Sequence, residues 1–210
     1  MPLTDRQIIA WVSETNDIMP FEMDNVNPAS YDLCVGRSWL DYEVPDKERV
    51  LFKGDTVTIY PRTLAVEIHN FFCSIIPYGW MWRKPTAILL TTLETIHIPE
   101  NMAAEIKLKT TPTRKGLGHP LADWVDPGYF GKPTLFLHAL KTVKLEFGQR
   151  ICQLVLYKLE ERVEKSYAKT GHYHAKFEPM RAWDESQSQN FTALDSHQSF
   201  DGIVSKREQQ

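Results

Sequence analysis

The stretch LKTTPTRKGLGHPLADWVDPGYFGKPTLFL, Leu108–Leu137, joins two strand-like segments through a polar loop that is rich in ligand-binding side chains. Thr110 and Thr111 carry hydroxyls, and Arg114 carries a planar guanidinium that suits phosphate oxygens. Asp126 follows in an Asp-Pro-Gly corner, where a turn holds its carboxylate. The stretch therefore predicts a site for a polyphosphate and a sugar. A polar hairpin, in which the Thr and Asp side chains only cap turns, is the alternative interpretation.

Short strand-like runs lie on both sides of this stretch, separated by Gly, Pro, Asn and Asp. Their regular spacing predicts a closed or sandwich-like all-β body rather than alternating β/α units. A capping-box pattern, Thr4 with Gln7, precedes apolar residues at helical spacing and predicts a short helix from Thr4 to Glu14. The predicted strands are Tyr31–Val35, Asp55–Tyr60, Leu64–His69, Thr86–Thr92, Ala103–Lys109, Thr134–His138 and Arg150–Tyr157.

Length and composition predict a soluble, cytoplasmic protein with one folded domain over residues 1–183. The stretch 184–210 has low hydrophobicity and predicts a polar, mobile tail. The formal net charge is −3 and no basic stripe is present, which argues against a nucleic-acid partner. No run approaches 18 consecutive apolar residues, so we expect no membrane span, and the first residues do not resemble a signal peptide. Cys34, Cys73 and Cys152 lie far apart and predict buried free thiols.

Aromatic residues crowd the segment NFFCSIIPYGWMWRKP, Asn70–Pro85. Such a cluster packs at a subunit interface or at the edge of a core. It also suits a lid or a stacking surface over a nucleotide base, because aromatic rings offer area and a π-face. The sequence leaves both interpretations open.

Several separate pieces of the chain, in the same order, resemble the dCTP deaminase branch of the dCTP deaminase/dUTPase superfamily. The resemblance covers about Asn27 to Tyr173. The matching pieces are PASYDLCVG (28–36), TTLETIHIPENMAAEIKLKTTPTRKGL (91–117), WVDPGYFG (124–131), FGQRICQLVLY (147–157) and SYAKTGHY (166–173).

The resemblance implies a distorted, jelly-roll-like β-barrel of the dUTPase type. It also implies a homotrimer whose sites lie between subunits and bind a pyrimidine deoxynucleoside triphosphate, dCTP or dUTP, together with Mg²⁺. Zinc is not expected, because zinc-dependent deamination needs a His-x-Glu and a Pro-Cys-x-x-Cys element and neither occurs. Lys176 stands where the family has a glutamine. The implied nucleotide-binding residues are Lys109, Thr110, Thr111, Arg114, Asp126, Gln153, Tyr167, Tyr173 and Lys176.

The resemblance leaves the reaction open. The catalytic glutamate of the deaminases lies five residues after the glycine that matches Gly131, and Phe136 occupies that position here. Loss of a general base costs about 10²- to 10⁴-fold in rate. His138 shares the strand face of Phe136 and is one substitute base. Asp126 matches the aspartate that orients the attacking water in dUTPases. The chain is thus predicted to be a deaminase-like hydrolase, with two alternatives: a diphosphatase using Asp126, or a catalytically silent nucleotide-binding or regulatory protein.

Overall fold

The computed structural model describes residues 1–44, 48–120 and 123–181. Residues 1–180 form one compact unit, and the predicted tail over 184–210 lies outside the described residues. The helices are α1 (Asp5–Thr15), α2 (Leu64–Ile75), α3 (Thr110–Arg114) and α4 (Tyr167–Thr170), with short 3-10 helices at Met23–Asn25 and Gly79–Trp82. The strands are β1 (Ile18–Met19), β2 (Val26–Asn27), β3 (Ser30–Asp41), β4 (Glu48–Val50), β5 (Thr56–Ile59), β6 (Ala87–Thr92), β7 (Thr95–His97), β8 (Met102–Leu108), β9 (Leu117–Gly118), β10 (Trp124–Val125), β11 (Phe130–Gly131), β12 (Thr134–Ala139), β13 (Val143–Glu146) and β14 (Arg150–Lys158).

The largest sheet within the described residues has nine antiparallel strands and curls into a half-barrel. Its order is β10-β8-β14-β3-β6-β12-β9, and β2 and β4 also pair with β3. The register of β3 against β6 shifts between Val35 and Trp39, and an irregularity of this kind bends a strand and increases its twist. Gly36 lies there, and a Cβ on it would come within 2.3 Å of the carbonyl oxygen of Thr92. The close approach of the two strands therefore requires glycine at this position.

Helix α1 confirms the predicted N-terminal helix to within one residue. The Gln7 side chain accepts a hydrogen bond from the backbone N–H of Thr4 at 2.9 Å, as expected of a capping box. Ile8 and Val12 are buried against the sheet. The predicted fold, mainly β with a short N-terminal helix, is confirmed.

The predicted strand Leu64–His69 is wrong, because this stretch opens the helix α2. Thr63 caps that helix, since its side chain accepts a hydrogen bond from the N–H of Val66 at 3.4 Å. Val66, Asn70 and Cys73 are its buried residues, at the spacing of one helix face. The β-branched residues in AVEIH (65–69) favour a strand. The buried residues recur at helical spacing, however, and this spacing continues beyond His69 and makes the segment a helix.

The other predicted strands are present, with ends that shift by at most one residue except in β3, which continues six residues beyond Val35. Side chains alternate along β12, so that Leu135, Leu137 and Ala139 enter the core while the residues between them stay partly exposed. The three cysteines are free and buried, as predicted. No helix within the described ranges is long and apolar enough to cross a membrane.

Candidate functional site

A cavity of about 290 Å³ lies against the partly exposed face of β12. Its walls come from β12, from the Asp-Pro-Gly corner before β11, and from the chain that follows β14. The residues singled out in the sequence that line it are Asp126, Phe136, Tyr167, Tyr173 and Lys176.

The Asp-Pro-Gly corner presents Asp126 at this cavity. The indole N–H of Trp124 donates a hydrogen bond to Oδ1 of Asp126 over 3.0 Å, which fixes the orientation of the carboxylate. Gly128 has a φ of +87°, and its N–H donates to the carbonyl of Ile98 at 2.7 Å. Glycine adopts this left-handed conformation without strain, so the corner is held in one shape.

The segment after β14 docks along this corner and brings the distant tyrosines and Lys176 to the cavity. The N–H of Tyr167 donates to the carbonyl of Pro127 at 2.9 Å. Farther along, the N–H of Lys132 donates to the carbonyl of Lys176 at 2.8 Å, and Gly131 forms a parallel bridge with Lys176. Backbone hydrogen bonds thus set the position of this wall.

Two tyrosine rings pack beside the corner. The ring centroids of Tyr129 and Tyr167 are 5.8 Å apart. Burial raises the pKa of both phenols above the ordinary value. The Tyr167 hydroxyl oxygen accepts a hydrogen bond from the N–H of Tyr173 at 3.3 Å. Both phenols therefore stay neutral near pH 7 and can act as hydroxyl donors.

Phe136 makes part of the cavity wall apolar. The ring of Tyr42 meets the Phe136 ring edge to face, with centroids 4.9 Å apart. His119 also lines the cavity, and its Nδ1 lies 2.8 Å from the carbonyl oxygen of Phe136. A carbonyl oxygen can only accept, so Nδ1 carries the proton and Nε2 of the neutral ring is left as an acceptor.

His138 shares the strand face of Phe136, with ring centroids 6.4 Å apart. It does not belong to the cavity lining. Its ring lies over Gly118, where an added Cβ would be 2.4 Å from Nε2. The structure therefore gives His138 a packing position in the sheet.

The remaining predicted residues form a second group that lies outside the cavity lining. Lys109 pairs with Asp32, which is fully buried, and Arg150 lies 3.9 Å from the same carboxylate. Gln153, on the neighbouring strand, donates to the Ser30 hydroxyl at 3.2 Å. The exposed residues of this group are in α3: Thr110, Thr111 and Arg114. The structure thus divides the predicted site residues into a cavity group and a group around α3.

The cavity residues that the sequence analysis did not single out include His119, Asp123, Trp124 and Tyr129. Trp124 and Tyr129 lie inside the matched piece WVDPGYFG, so their position beside Asp126 in the sequence could have indicated that they belong to the site. His119 contacts the Phe136 carbonyl across 17 positions of the chain, and this contact arises only from the folded sheet.

In the described part of the chain, no three His, Cys, Asp or Glu side chains lie together in a way that could hold a metal ion. Asp123 and Asp126 both line the cavity. Magnesium commonly binds through one or two carboxylates and substrate phosphates. These two carboxylates fit that habit for an ion that arrives with a triphosphate.

The curled antiparallel sheet, the N-terminal helix and the cavity at an Asp-Pro-Gly corner define a protein of the dUTPase-like fold. The family described as dCTP deaminase-like matches residues 2–159, and the chain belongs to that family.

Relatives support this membership over most of the chain. A protein named "dCTP deaminase, dUMP-forming" from Methanocaldococcus jannaschii is 32% identical over 211 residues, covering 94% of this chain and 98% of the relative. A protein of the same name from Sulfurihydrogenibium sp. is 31% identical over 170 residues, covering 80% of this chain and 89% of the relative.

Among solved structures, the 2'-deoxycytidine 5'-triphosphate deaminase from Agrobacterium tumefaciens matches with a TM-score of 0.54 and 15% identity. The match covers 74% of this chain but only 47% of that one, so the chain spans about half the length of the Agrobacterium protein. At this identity the likeness concerns the fold alone.

Proposed function

We propose that this protein is a hydrolase of pyrimidine deoxynucleoside triphosphates, in nucleotide-pool metabolism, and that it cleaves the bond between the α- and β-phosphates. The observation that carries the proposal is Asp126, oriented at the cavity by Trp124. The relatives named "dCTP deaminase, dUMP-forming" support it, because forming dUMP from dCTP requires loss of diphosphate as well as of the amino group.

The proposed step is attack of water on the α-phosphorus. The Asp126 carboxylate orients that water and accepts its proton, the new bond forms from the water oxygen, and the bond to the bridging oxygen of the β-phosphate breaks. The products are a deoxynucleoside monophosphate and diphosphate. A positioned carboxylate of this kind contributes about 10²- to 10⁴-fold in rate.

Mg²⁺ held by the triphosphate, with Asp123 as a protein ligand, would neutralise phosphate charge when bound. The residues of this chain supply the remaining contacts. Tyr167 and Tyr173 offer hydroxyls, and Lys176 offers a cation for a phosphate oxygen.

We propose that the group around α3 completes the cavity of a neighbouring subunit in a homotrimer. Thr110, Thr111 and Arg114 are exposed and lie outside the cavity of their own chain, which supports a site shared between subunits. Lys109, paired with the buried Asp32, and Gln153 would support this half of the site from the sheet below.

Deamination is the alternative reaction, and Phe136 argues against it. Phe136 stands at the position that resembles that of the catalytic glutamate. Its ring packs against Tyr42 and cannot accept or donate a proton. His119, whose Nε2 is an acceptor, is the cavity residue best suited to replace that base. His138 lacks a place in the lining.

A nucleotide-binding protein without catalysis is the second candidate function, and the apolar Phe136–Tyr42 wall favours it. One experiment separates the three. Purified protein is incubated with each deoxynucleoside triphosphate and Mg²⁺, and the products are separated by chromatography. We expect a monophosphate and diphosphate from dCTP or dUTP. Formation of dUTP or dUMP from dCTP would instead support deamination, and absence of any product together with measurable binding would support the silent protein.

A further inference from the structure

The aromatic segment forms an exposed apolar surface that the proposed function does not use. Leu64, Ile68, Phe71, Phe72 and Ile75 are all exposed, at 49–72% of their full accessibility. They recur at the spacing of one helix face, and they lie opposite the buried face of α2. An apolar stripe of this kind is typical of a helix whose second face is also covered by a partner.

The 3-10 helix Gly79–Trp82 extends this surface. Gly79 packs so closely on α2 that an added Cβ would lie 1.9 Å from the carbonyl oxygen of Cys73. Tyr78, Met81 and Trp82 are 51–71% exposed beside the stripe. We call the whole surface, from Leu64 to Trp82, the α2 face.

The α2 face is held rigidly on the body of the protein. The Asn70 side chain forms two hydrogen bonds with the backbone of Lys84, at 2.9 and 3.0 Å. The Nε2 atom of His69 lies 2.9 Å from the carbonyl oxygen of Trp82, and Arg49 donates to the carbonyl of Trp80 at 2.6 Å. None of the aromatic residues of the face lines the cavity of its own chain. The geometry is that of a fixed docking surface.

The area of the α2 face is of the size that a stable contact between proteins needs. An aromatic side chain offers roughly 150–250 Å², so Phe71, Phe72, Tyr78 and Trp82, at 58–71% exposure, present about 400–600 Å² together. Leu64, Ile68, Ile75, Ile76 and Met81 add to this area with similar exposure. One partner in a standard interface contributes about 800 Å².

The stripe on α2 is complementary to itself in an antiparallel arrangement. Pairing two copies of α2 about the midpoint of the helix sets Leu64 against Ile75 and Ile68 against Phe71, so that an aliphatic residue faces an apolar partner in both of these pairs. A contact that matches itself in this way closes about a two-fold axis. The charges around the face do not suit an anionic lipid surface, since Arg62 pairs with Glu67 at 2.9 Å.

We propose that the α2 face is a two-fold interface with a second copy of this chain. The interface lies apart from the cavity, and it doubles whatever assembly the site itself requires. A trimer would become a hexamer, and a monomer would become a dimer.

The test is the mass in solution of the full chain, measured by light scattering over a concentration series. Phe71→Glu places a charge in the interface and should halve the mass. Phe52→Glu is the matched control, because Phe52 is 61% exposed and Phe71 is 62% exposed, and Phe52 lies outside the face. The control should keep the wild-type mass, and circular dichroism checks the fold of both variants.

Ile68→Lys provides a second variant, and it should also halve the mass. Mixing it with Phe71→Glu sets opposite charges at facing positions, so the mixture should recover part of the doubled mass. An unchanged mass in both single variants would overturn the proposal. Wild-type protein at the halved mass that sediments with phosphatidylcholine vesicles would also overturn it and assign the face to a lipid surface.

Discussion

Gly128 and Ser166 approach each other so closely that a Cβ on Gly128 would lie 2.1 Å from the Ser166 hydroxyl oxygen. This contact joins the Asp-Pro-Gly corner to the segment that carries Tyr167, Tyr173 and Lys176. The position of that cavity wall therefore depends on the absence of one methyl group.

Gly128→Ala should push the segment away from the corner and weaken binding of dCTP or dUTP by several-fold or more, as measured by calorimetry. Alanine at the left-handed φ of +87° is also strained, and this strain should lower the free energy of unfolding by about 1–3 kcal/mol. Gly148→Ala is the control, since Gly148 has a φ of +79° and an added Cβ would meet nothing within 4 Å. Equal loss of stability and unchanged binding in the two variants would contradict the role of the Ser166 contact.

Local patterns in the sequence predict the secondary-structure elements better than the tertiary contacts between them. Strands such as β12 and β14, the capping box of α1 and the Asp-Pro-Gly corner follow from neighbouring residues and are found where expected. Helix α2 was missed because a strand and a helix differ only in the period of their apolar residues, and AVEIH is too short to define one.

The sequence could predict which residues belong to the candidate site, but not which of them lie together in the cavity of one chain. Whether Lys176 meets Gly131 depends on a backbone bridge between residues 45 positions apart, and no local preference encodes it. The separation of Arg114 from the cavity of its own chain likewise follows from the sheet order. Grouping of this kind depends on long-range pairing, which a single sequence does not display.

Arg114→Ala should weaken triphosphate binding by at least several-fold, because a guanidinium forms paired hydrogen bonds with phosphate oxygens. Calorimetry measures the change, and Arg6→Ala, at another exposed arginine, is the control. Because the proposed site is shared between subunits, coexpression of Arg114→Ala with Asp126→Asn should restore part of the activity that each variant lacks. Absence of any restoration in verified mixed assemblies would contradict the shared site.

Asp126→Asn should lower the rate of diphosphate cleavage by about 10²-fold or more, because an amide cannot accept the proton of the attacking water. The amide oxygen can still accept from the Trp124 indole, so affinity should change little. Asp123→Asn is the comparison within the same cavity. Cleavage at the wild-type rate in Asp126→Asn would assign the chemistry to another group.

Glu94 gives the stability of the fold a specific dependence on pH. The side chain is buried beside Cys34, whose N–H donates to Oε2 at 2.9 Å, and burial raises the pKa of Glu94 from 4.5 to about 7. The folded state therefore holds a proton that the unfolded state releases, and the free energy of unfolding should fall as pH rises from about 4.5 to about 7. Urea unfolding over this range measures the decline, which Glu94→Gln should largely remove. A Glu94→Gln profile as steep as that of the wild type would contradict this origin.

Phe136→Glu tests whether one ring blocks deamination in an otherwise complete site. The new carboxylate would occupy the position that resembles the catalytic glutamate, so the variant should form dUTP or dUMP from dCTP at a rate above that of the wild type. Restoration should be partial, since a half-buried carboxylate without supporting hydrogen bonds has a raised pKa, and Tyr42 loses its aromatic partner. Phe136→Gln, of similar polarity but without a titratable group, is the matched control and should stay inactive in deamination. Wild-type protein that already deaminates dCTP would refute this account of Phe136, and loss of that activity in His119→Asn would then identify His119 as the base.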